Sequence, residues 1–304
     1  MGTLLKNGLS EGDLADIRRL EKICANDEVR DMKLNWEMLQ NRPAAEINDL
    51  LYYEDSQLVG FWGLYLIDPK HKEIEITGMV HPGYRRRGIG RQLIARALEL
   101  CTARDASRVL LITERSSVSG TEFAKAAGFC YAVSEYRMRF TEADSPELSA
   151  NTQVVGISAR SAIPSDDGII ALIDSLCFET SGEVVRESAL DEATGKVEPA
   201  NFKYGQDATY VAELNGRVIG KICGIVENNE GYIFGFGILP EFRSRGYGRT
   251  ILRWMVAKLL EADVSTILLE VATENEKALH LYESCGFRRV AVYDYYEFFT
   301  RNGK

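Results

Sequence analysis

The feature that most constrains this chain is a stretch of text that occurs twice at one spacing. Pro82-Gly83-Tyr84-Arg85-Arg86-Arg87-Gly88-Ile89-Gly90-Arg91 returns as Pro240-Glu241-Phe242-Arg243-Ser244-Arg245-Gly246-Tyr247-Gly248-Arg249, with every position displaced by 158. The surroundings keep their order too. Val59-Gly60 and Ile74 to Val80 precede the first copy, and Ile219-Gly220 and Tyr232 to Leu239 precede the second. A single displacement shared by so many positions predicts a duplicated unit, and 304 residues suffice for two cores of ordinary domain size. The domains are placed at 1–145 and 152–304, because residues 141 to 153 are mostly polar and carry Pro146, which interrupts any core-facing period.

Periodicity then predicts the elements. In the first unit, Glu11 to Cys24 and Leu34 to Leu39 read as helices, and residues 50–67 as a hairpin turning near Glu54-Asp55. A strand follows at 73–80. Gln92 to Cys101 puts Leu93, Ile94, Ala97, Leu98 and Cys101 on one helical stripe. Val109 to Thr113 reads as a strand, Thr121 to Ala127 as a helix and Cys130 to Phe140 as the closing strand. The second unit opens with a strand at Val154 to Ile157, then helices at Ile169 to Phe178 and in part of 183–191. Strands at 208–214, 218–226 and 231–239 lead to a helix at Thr250 to Leu260 and a strand at Thr266 to Val271. A helix at Asn275 to Cys285 and a closing strand at Val290 to Phe298 complete it. The expected fold class is α/β in the α+β sense: two tandem domains, each a mixed, mainly antiparallel sheet flanked by helices.

Composition removes several functional classes. The six cysteines are dispersed without a CxxC pair and the three histidines are far apart, so no metal site is expected. No apolar run approaches the ~20 residues of a membrane span, and charged residues interrupt the first 25 positions, which predicts a cytoplasmic protein without membrane attachment. Residues 1–140 hold 20 basic and 20 acidic residues, so the whole net charge of -9 falls on 141–304. An acidic second half argues against nucleic acid as a partner and tolerates a cationic substrate. A homodimer is left open.

Each arginine-glycine loop follows a strand and opens a helix, where unpaired backbone N–H groups point outward. Gly246 and Gly248 permit close approach or positive φ, and Arg243, Arg245 and Arg249 supply charge to balance phosphate; Arg85 to Arg87, Gly88, Gly90 and Arg91 repeat the set. The pattern describes a pyrophosphate cradle. A Walker A loop would need its GK[ST] and a dinucleotide loop its GxGxxG, and neither is present. The plainer reading is a tight strand-to-helix turn with solvent-facing arginines.

Arg243-Ser244-Arg245-Gly246-Tyr247-Gly248 resembles the acetyl-coenzyme A loop of the GCN5-related N-acetyltransferase superfamily, written Q/R-x-x-G-x-G/A. Leu268-Leu269-Glu270-Val271 followed by Asn275 to Phe287, of the form N-x-x-A-x-x-L-Y-x-x-x-G-F, resembles that family's next block. The first unit resembles the family through Arg85 to Gly90 and a weaker ending, Phe123 to Phe129. There Ala124 stands where the second unit has Tyr282, and Ser117 where it has Asn275.

The resemblance implies a tandem N-acetyltransferase that moves acetyl from acetyl-CoA directly onto a primary amine of a small molecule or peptide, with the second unit catalytic and the first accessory. It implies that the Ile238 and Leu239 backbone holds the pantetheine or polarises the carbonyl, and that Arg243, Ser244, Arg245, Gly246, Tyr247, Gly248 and Arg249 receive the pyrophosphate. A possible second cofactor site comprises Val80, Arg85, Arg86, Arg87, Gly88, Ile89, Gly90 and Arg91. Tyr282 is implied as the acid at the departing thiolate, although its apolar neighbours equally suit a core-edge tyrosine. Glu270 is the candidate base, with solvent exposure or pairing to an arginine as its other readings and Asp294 as a lesser option. Asn275 either caps the next helix or lies near the cofactor. Tyr293, Tyr295, Tyr296, Phe298 and Phe299 either pack a sheet or line the acceptor site. The competing functional class is a CoA-responsive binding or regulatory protein without turnover.

Overall fold

The structure, a computed structural model, describes residues 2–27, 32–42, 45–68, 72–140, 156–178, 190–191, 196–197, 209–227 and 229–299. The first part of the chain forms β1 (Gly2–Lys6), α1 (Glu11–Ala25), α2 (Trp36–Gln40), β2 (Asp49–Glu54), β3 (Gln57–Asp68), β4 (Glu73–Val80), α3 (Ile89–Ala103), β5 (Arg108–Glu114), α4 (Val118–Ala126) and β6 (Cys130–Phe140). The remainder forms β7 (Ile157–Ser161), α5 (Asp167–Cys177), β8 (Leu190–Asp191), β9 (Lys196–Val197), β10 (Thr209–Leu214), β11 (Arg217–Glu227), β12 (Glu230–Ile238), α6 (Tyr247–Leu260), β13 (Thr266–Ala272), α7 (Glu276–Glu283) and β14 (Arg288–Phe298). The linker expected at 141–153 lies outside the described residues, as does the helix expected in 183–191, except for 190–191, which form β8.

Two compact units emerge: Met1–Ser134 with Ala291–Lys304, and Glu135–Val290. The sheet of unit 1 has the order β1-β2-β3-β4-β5-β14, antiparallel throughout except for the parallel pair β4–β5. Unit 2 has the order β7-β10-β11-β12-β13-β6, antiparallel except for β12–β13. These are the mixed, mainly antiparallel sheets that the duplication predicts. The closing strands differ from expectation. Residues Tyr293 to Phe298 of β14 pair with β5 in unit 1, and Glu135 to Phe140 of β6 pair with β13 in unit 2. The strand expected to close the second unit therefore closes the first. Both strands follow the same kind of helix and carry similar alternation, so local text does not specify the sheet each one joins.

Local chemistry accounts for most of the elements. The β2–β3 hairpin turns on Asp55 (φ 47) and Ser56 (φ 63), a left-handed pair that suits the strand twist. Ser10 and Asp13 close a reciprocal capping box at the start of α1, with bonds of 3.2 and 2.9 Å. Helix α3 buries Ile89, Leu93, Ile94, Ala97 and Cys101 against Leu64, Ile74, Ile76 and Leu111 of the sheet. In unit 2, Ile251, Leu252, Met255 and Val256 of α6 pack likewise on Ile219, Ile222, Ile233 and Ile267. Strand β1 was not signalled, because five residues with one polar neighbour on each side carry too short an alternation.

Candidate active site

In unit 2 the two parallel strands part company. β12 and β13 pair from Glu230↔Thr266 to Ile233↔Leu269 and no further, although β12 continues to Ile238 and β13 to Ala272. Where they separate, β12 bulges: Cys223 faces Phe234 and Lys221 faces Gly237, so Gly235 and Phe236 stand against Ile222 alone. Gly235 takes φ +54, and a Cβ there would lie 3.4 Å from the Cys223 thiol. The bulge thus falls at the glycines of this strand, just past the last β12–β13 pair.

The loop after β12 ends in an uncapped helix. Gly246 is the N-cap of α6 in the left-handed region (φ 85, ψ -9), with no side-chain cap and no atom within 4 Å of a would-be Cβ. The first N–H groups of the helix, from Tyr247 onward, have no intrahelical acceptor, so this end can receive an anion. Ser244 is also left-handed (φ 60), Tyr247 packs on the core and Gly248 lies under Leu281, whose Cδ2 is 3.3 Å from a would-be Cβ. Arg245 and Arg249 are exposed beside it.

Arg243 has its side chain bonded within unit 2. Its Nε donates to the Ile238 carbonyl at 2.7 Å and its Nη2 to the Cys177 thiol at 3.2 Å, while Cys177 itself reaches the same carbonyl at 3.5 Å. The Leu239 N–H is bonded to the Ile219 carbonyl at 2.8 Å. These groups brace the end of β12. Burial pushes the Cys177 thiol up in pKa, against the pull of Arg243. Sequence reading missed Cys177, yet a signal existed. In unit 1, Cys24 at the end of α1 bonds the Val80 carbonyl at 3.7 Å, and Arg85 Nε bonds that carbonyl at 3.1 Å. A cysteine ending the first helix of each repeat was legible in both copies.

Tyr282 and Glu270 occupy opposite faces of the sheet. Tyr282 on α7 is buried in the core with Ile267, Leu269 and Val271 of β13, its ring 6.5 Å from Phe236 and 6.1 Å from Phe287. Strand alternation then sends Glu270 to the other face, half-buried and directly across from Arg137 of β6. Asn275 takes the capping role, its Oδ1 accepting from the Ala278 N–H at 3.1 Å. Asp294, offered as a lesser option for the base, belongs to unit 1. It is held by Arg115 Nη2 at 2.6 Å, both Arg115 Nε contacts at 3.1 Å and the Ser134 hydroxyl at 2.6 Å. Tyr293, Tyr295 and Tyr296 are likewise buried in unit 1.

Unit 1 repeats the loop over different neighbours. Gly88 caps α3 at φ 85, ψ -5, Arg86 is left-handed like Ser244 (φ 63), Ile89 is buried and Gly90 lies 3.0 Å, by its would-be Cβ, from the Phe123 ring. Arg85 also pairs with Asp27 at 2.7 Å, Arg87 donates to the Gly83 carbonyl at 3.1 Å and covers the Tyr84 ring, and Arg91 is exposed. β4 and β5 part after Ile76↔Leu111, leaving a cleft lined by Lys33, Trp62, Thr113, Glu114, Phe123 and Tyr293. β4 has no bulge there, since its register with β3 runs unbroken from Gly60↔Val80 to Leu66↔Ile74. In place of Tyr282 is the fully buried Ala124.

Among the described residues no helix is long and apolar enough to cross a membrane. The family model described as "Acetyltransferase (GNAT) family" matches residues 14–129 and again 173–287. A mycothiol acetyltransferase of Thermomonospora curvata is 28% identical over 95% of this chain and 95% of that protein. One from Cellulomonas flavigena is 25% identical over 70% of this chain and 64% of its own length. The fold is that of a GCN5-related N-acetyltransferase from Sphaerobacter thermophilus (TM-score 0.76, 18% identity, 97% of this chain and 95% of that one). A tandem GNAT protein from the clavulanic acid biosynthesis pathway is also similar (TM-score 0.71, 18% identity, 98% of both chains). With each of its repeats matched and each carrying the same strand, loop and helix, the chain belongs to the acetyltransferase (GNAT) family as a tandem member, a family of enzymes that transfer acetyl from acetyl-CoA to amines.

Proposed function

We propose that unit 2 is the catalytic unit, an N-acetyltransferase site for a primary amine of a small molecule or peptide, and that unit 1 is accessory. The observation that carries this reading is that one unit combines an uncapped helix start, a bulged strand parted from its parallel neighbour and a tyrosine on the helix that faces the bulge. Relatives named for mycothiol acetylation favour a small-molecule acceptor.

The residues of unit 2 suit acetyl-CoA. The α6 N-terminus with Gly246 open above it, flanked by Arg245 and Arg249, would take the diphosphate, and the β12 edge past Ile233 would take the amide-bearing arm. Acetyl-CoA supplies the thioester. The Tyr282 hydroxyl donates its proton to the departing thiolate sulfur, and Glu270, on the opposite face, receives the amine proton directly or through water. Arg243 and Cys177 fix the end of β12 so that the bulge and the cradle keep their spacing.

Calorimetry with acetyl-CoA, together with thiol release in an amine screen, tests this reading. Binding that Gly246→Trp abolishes, with turnover that Tyr282→Phe lowers, supports it. Turnover that survives Gly246→Trp but not Gly88→Trp would transfer the site to unit 1. A second reading, a ligand-responsive role without turnover, is favoured for unit 1 by Ala124 beneath a loop of preserved geometry.

A further inference from the structure

Two charges are buried beneath the bulge of unit 2, and the duplicated unit shows that the fold does not need them. Lys221 on β11 is 7% exposed and forms an ion pair with Asp174 of α5, itself 9% exposed. The lysine reaches along the sheet face until its Nζ lies 3.9 Å from where a Cβ on Gly235 would sit, with Phe178 covering it at 5.8 Å from the ring centroid. In unit 1 the register-equivalent of Lys221 is Phe61, fully buried and paired with Met79 as Lys221 is with Gly237. There the register of the strand is unbroken and Ala124 stands where unit 2 has Tyr282.

Burying an ion pair brings a desolvation cost that its own attraction barely offsets, so an apolar residue of similar volume holds such a position equally well. Phe61 is that residue. The pair, the bulge and Tyr282 occur together in one unit and are missing together from the other. Resting on the acetyl-transfer reading of unit 2, we propose that Lys221, pinned by Asp174 against the inner side of the Gly235 bulge, supplies the positive charge that polarises the acyl carbonyl held at that bulge. When the amine nitrogen bonds to the carbonyl carbon, the C=O electron pair moves onto oxygen. A fixed ammonium in a site of low dielectric favours that charge without having to reorganise. As the C–S bond then breaks, the pair returns from oxygen, the sulfur leaves with its electrons and takes the Tyr282 proton, and the amine proton passes to Glu270 or water. Asp174 keeps the lysine charged and in place, so that the resting site gains no net charge.

The test uses a non-transferable analogue of acetyl-CoA in which a methylene replaces the thioester sulfur, with its carbonyl carbon isotope-labelled. Its infrared carbonyl stretch is read on the full chain, and the unit 2 band is the one that Gly246→Trp removes. The expected result is a lowered stretch in the native protein that moves back toward its solution position in Lys221→Met. Analogue affinity should stay within about twofold and kcat should fall about tenfold, close to 1.4 kcal/mol. Lys221→Met leaves a buried carboxylate, so Lys221→Met/Asp174→Asn, which removes both charges, must give the same displacement. Lys221→Arg should retain part of it. An unmoved stretch in a folded variant overturns the role of Lys221 while leaving the acetyl-transfer site intact. A native protein in which Gly246→Trp removes no band overturns the site itself, and the role of Lys221 with it.

Discussion

Unit 1 and unit 2 share a loop to within a few degrees and differ in almost everything the loop serves. Gly88 and Gly246 both sit at φ 85, and Arg86 and Ser244 at φ 63 and 60. Below the loop, unit 2 places Phe236 on its parted strand beside Tyr282, whereas unit 1 places Gly78 there. The space over Gly78 is filled from the neighbouring strand by Trp62, which stacks on Phe123 at 5.5 Å. A duplicated fold has thus satisfied the same packing demand from two different strands, and only the solution of unit 2 sets a tyrosine ring beside a bulged strand. The lesson is that a preserved phosphate-type loop marks descent, whereas the residues beneath it mark chemistry.

The largest effect that probes this difference is at Gly78. A Cβ there would lie 2.1 Å from both the Phe61 carbonyl oxygen and the Trp62 ring. Gly78→Ala should therefore destabilise unit 1 by about 3 kcal/mol, seen in urea unfolding. No change would break the register equivalence of Gly78 and Phe236. Next comes Tyr282→Phe, for which kcat should fall about 100-fold with acetyl-CoA affinity held. Ala124→Ser, at the matching place in unit 1, should leave turnover alone. A comparable loss from both would mean that the units share the chemistry.

Smaller effects sharpen the comparison. Gly88→Ala and Gly246→Ala meet open space, so each should cost only the left-handed backbone strain, about 1 to 2 kcal/mol in thermal unfolding, and equally in the two units. Their consequences for acetyl transfer should be unequal, with Gly246→Ala the harmful one. The smallest effect is an order of rates in thiol alkylation at pH 8, followed by mass spectrometry. Burial pushes the Cys24 thiol up to about 11, so below that pH it stays protonated and the reactive thiolate is scarce. Cys177 is raised too but is half-buried rather than enclosed. Exposed Cys130 should react first, Cys177 next and Cys24 last; Cys24 ahead of Cys177 would contradict the packing of the two braces.

Much of this was legible because it is local. Arginine-glycine text followed by an apolar period fixes a left-handed turn and a helix start wherever the chain lies, which is why both loops and the stripes of α3 and α6 could be read directly. Asn275 before an amphipathic run likewise declares a cap. Arg243 could not be assigned in this way. An arginine beside a cradle reads as a phosphate partner until the strand-end carbonyl and Cys177 are found within its reach. Lys221 was equally opaque, since a lysine within a strand reads as a solvated position unless a carboxylate from a distant helix is known to meet it.

By itself the sequence determined that the chain is built twice, where each loop turns and which copy carries the tyrosine, since these depend on residue types within one or two turns of one another. Only the tertiary structure decided which sheet each closing strand completes, and with it that Arg137 faces Glu270 while Asp294 belongs to the other unit. Backbone ladders accept any strand of suitable alternation, so the choice among such strands is made by long-range packing that no local pattern encodes.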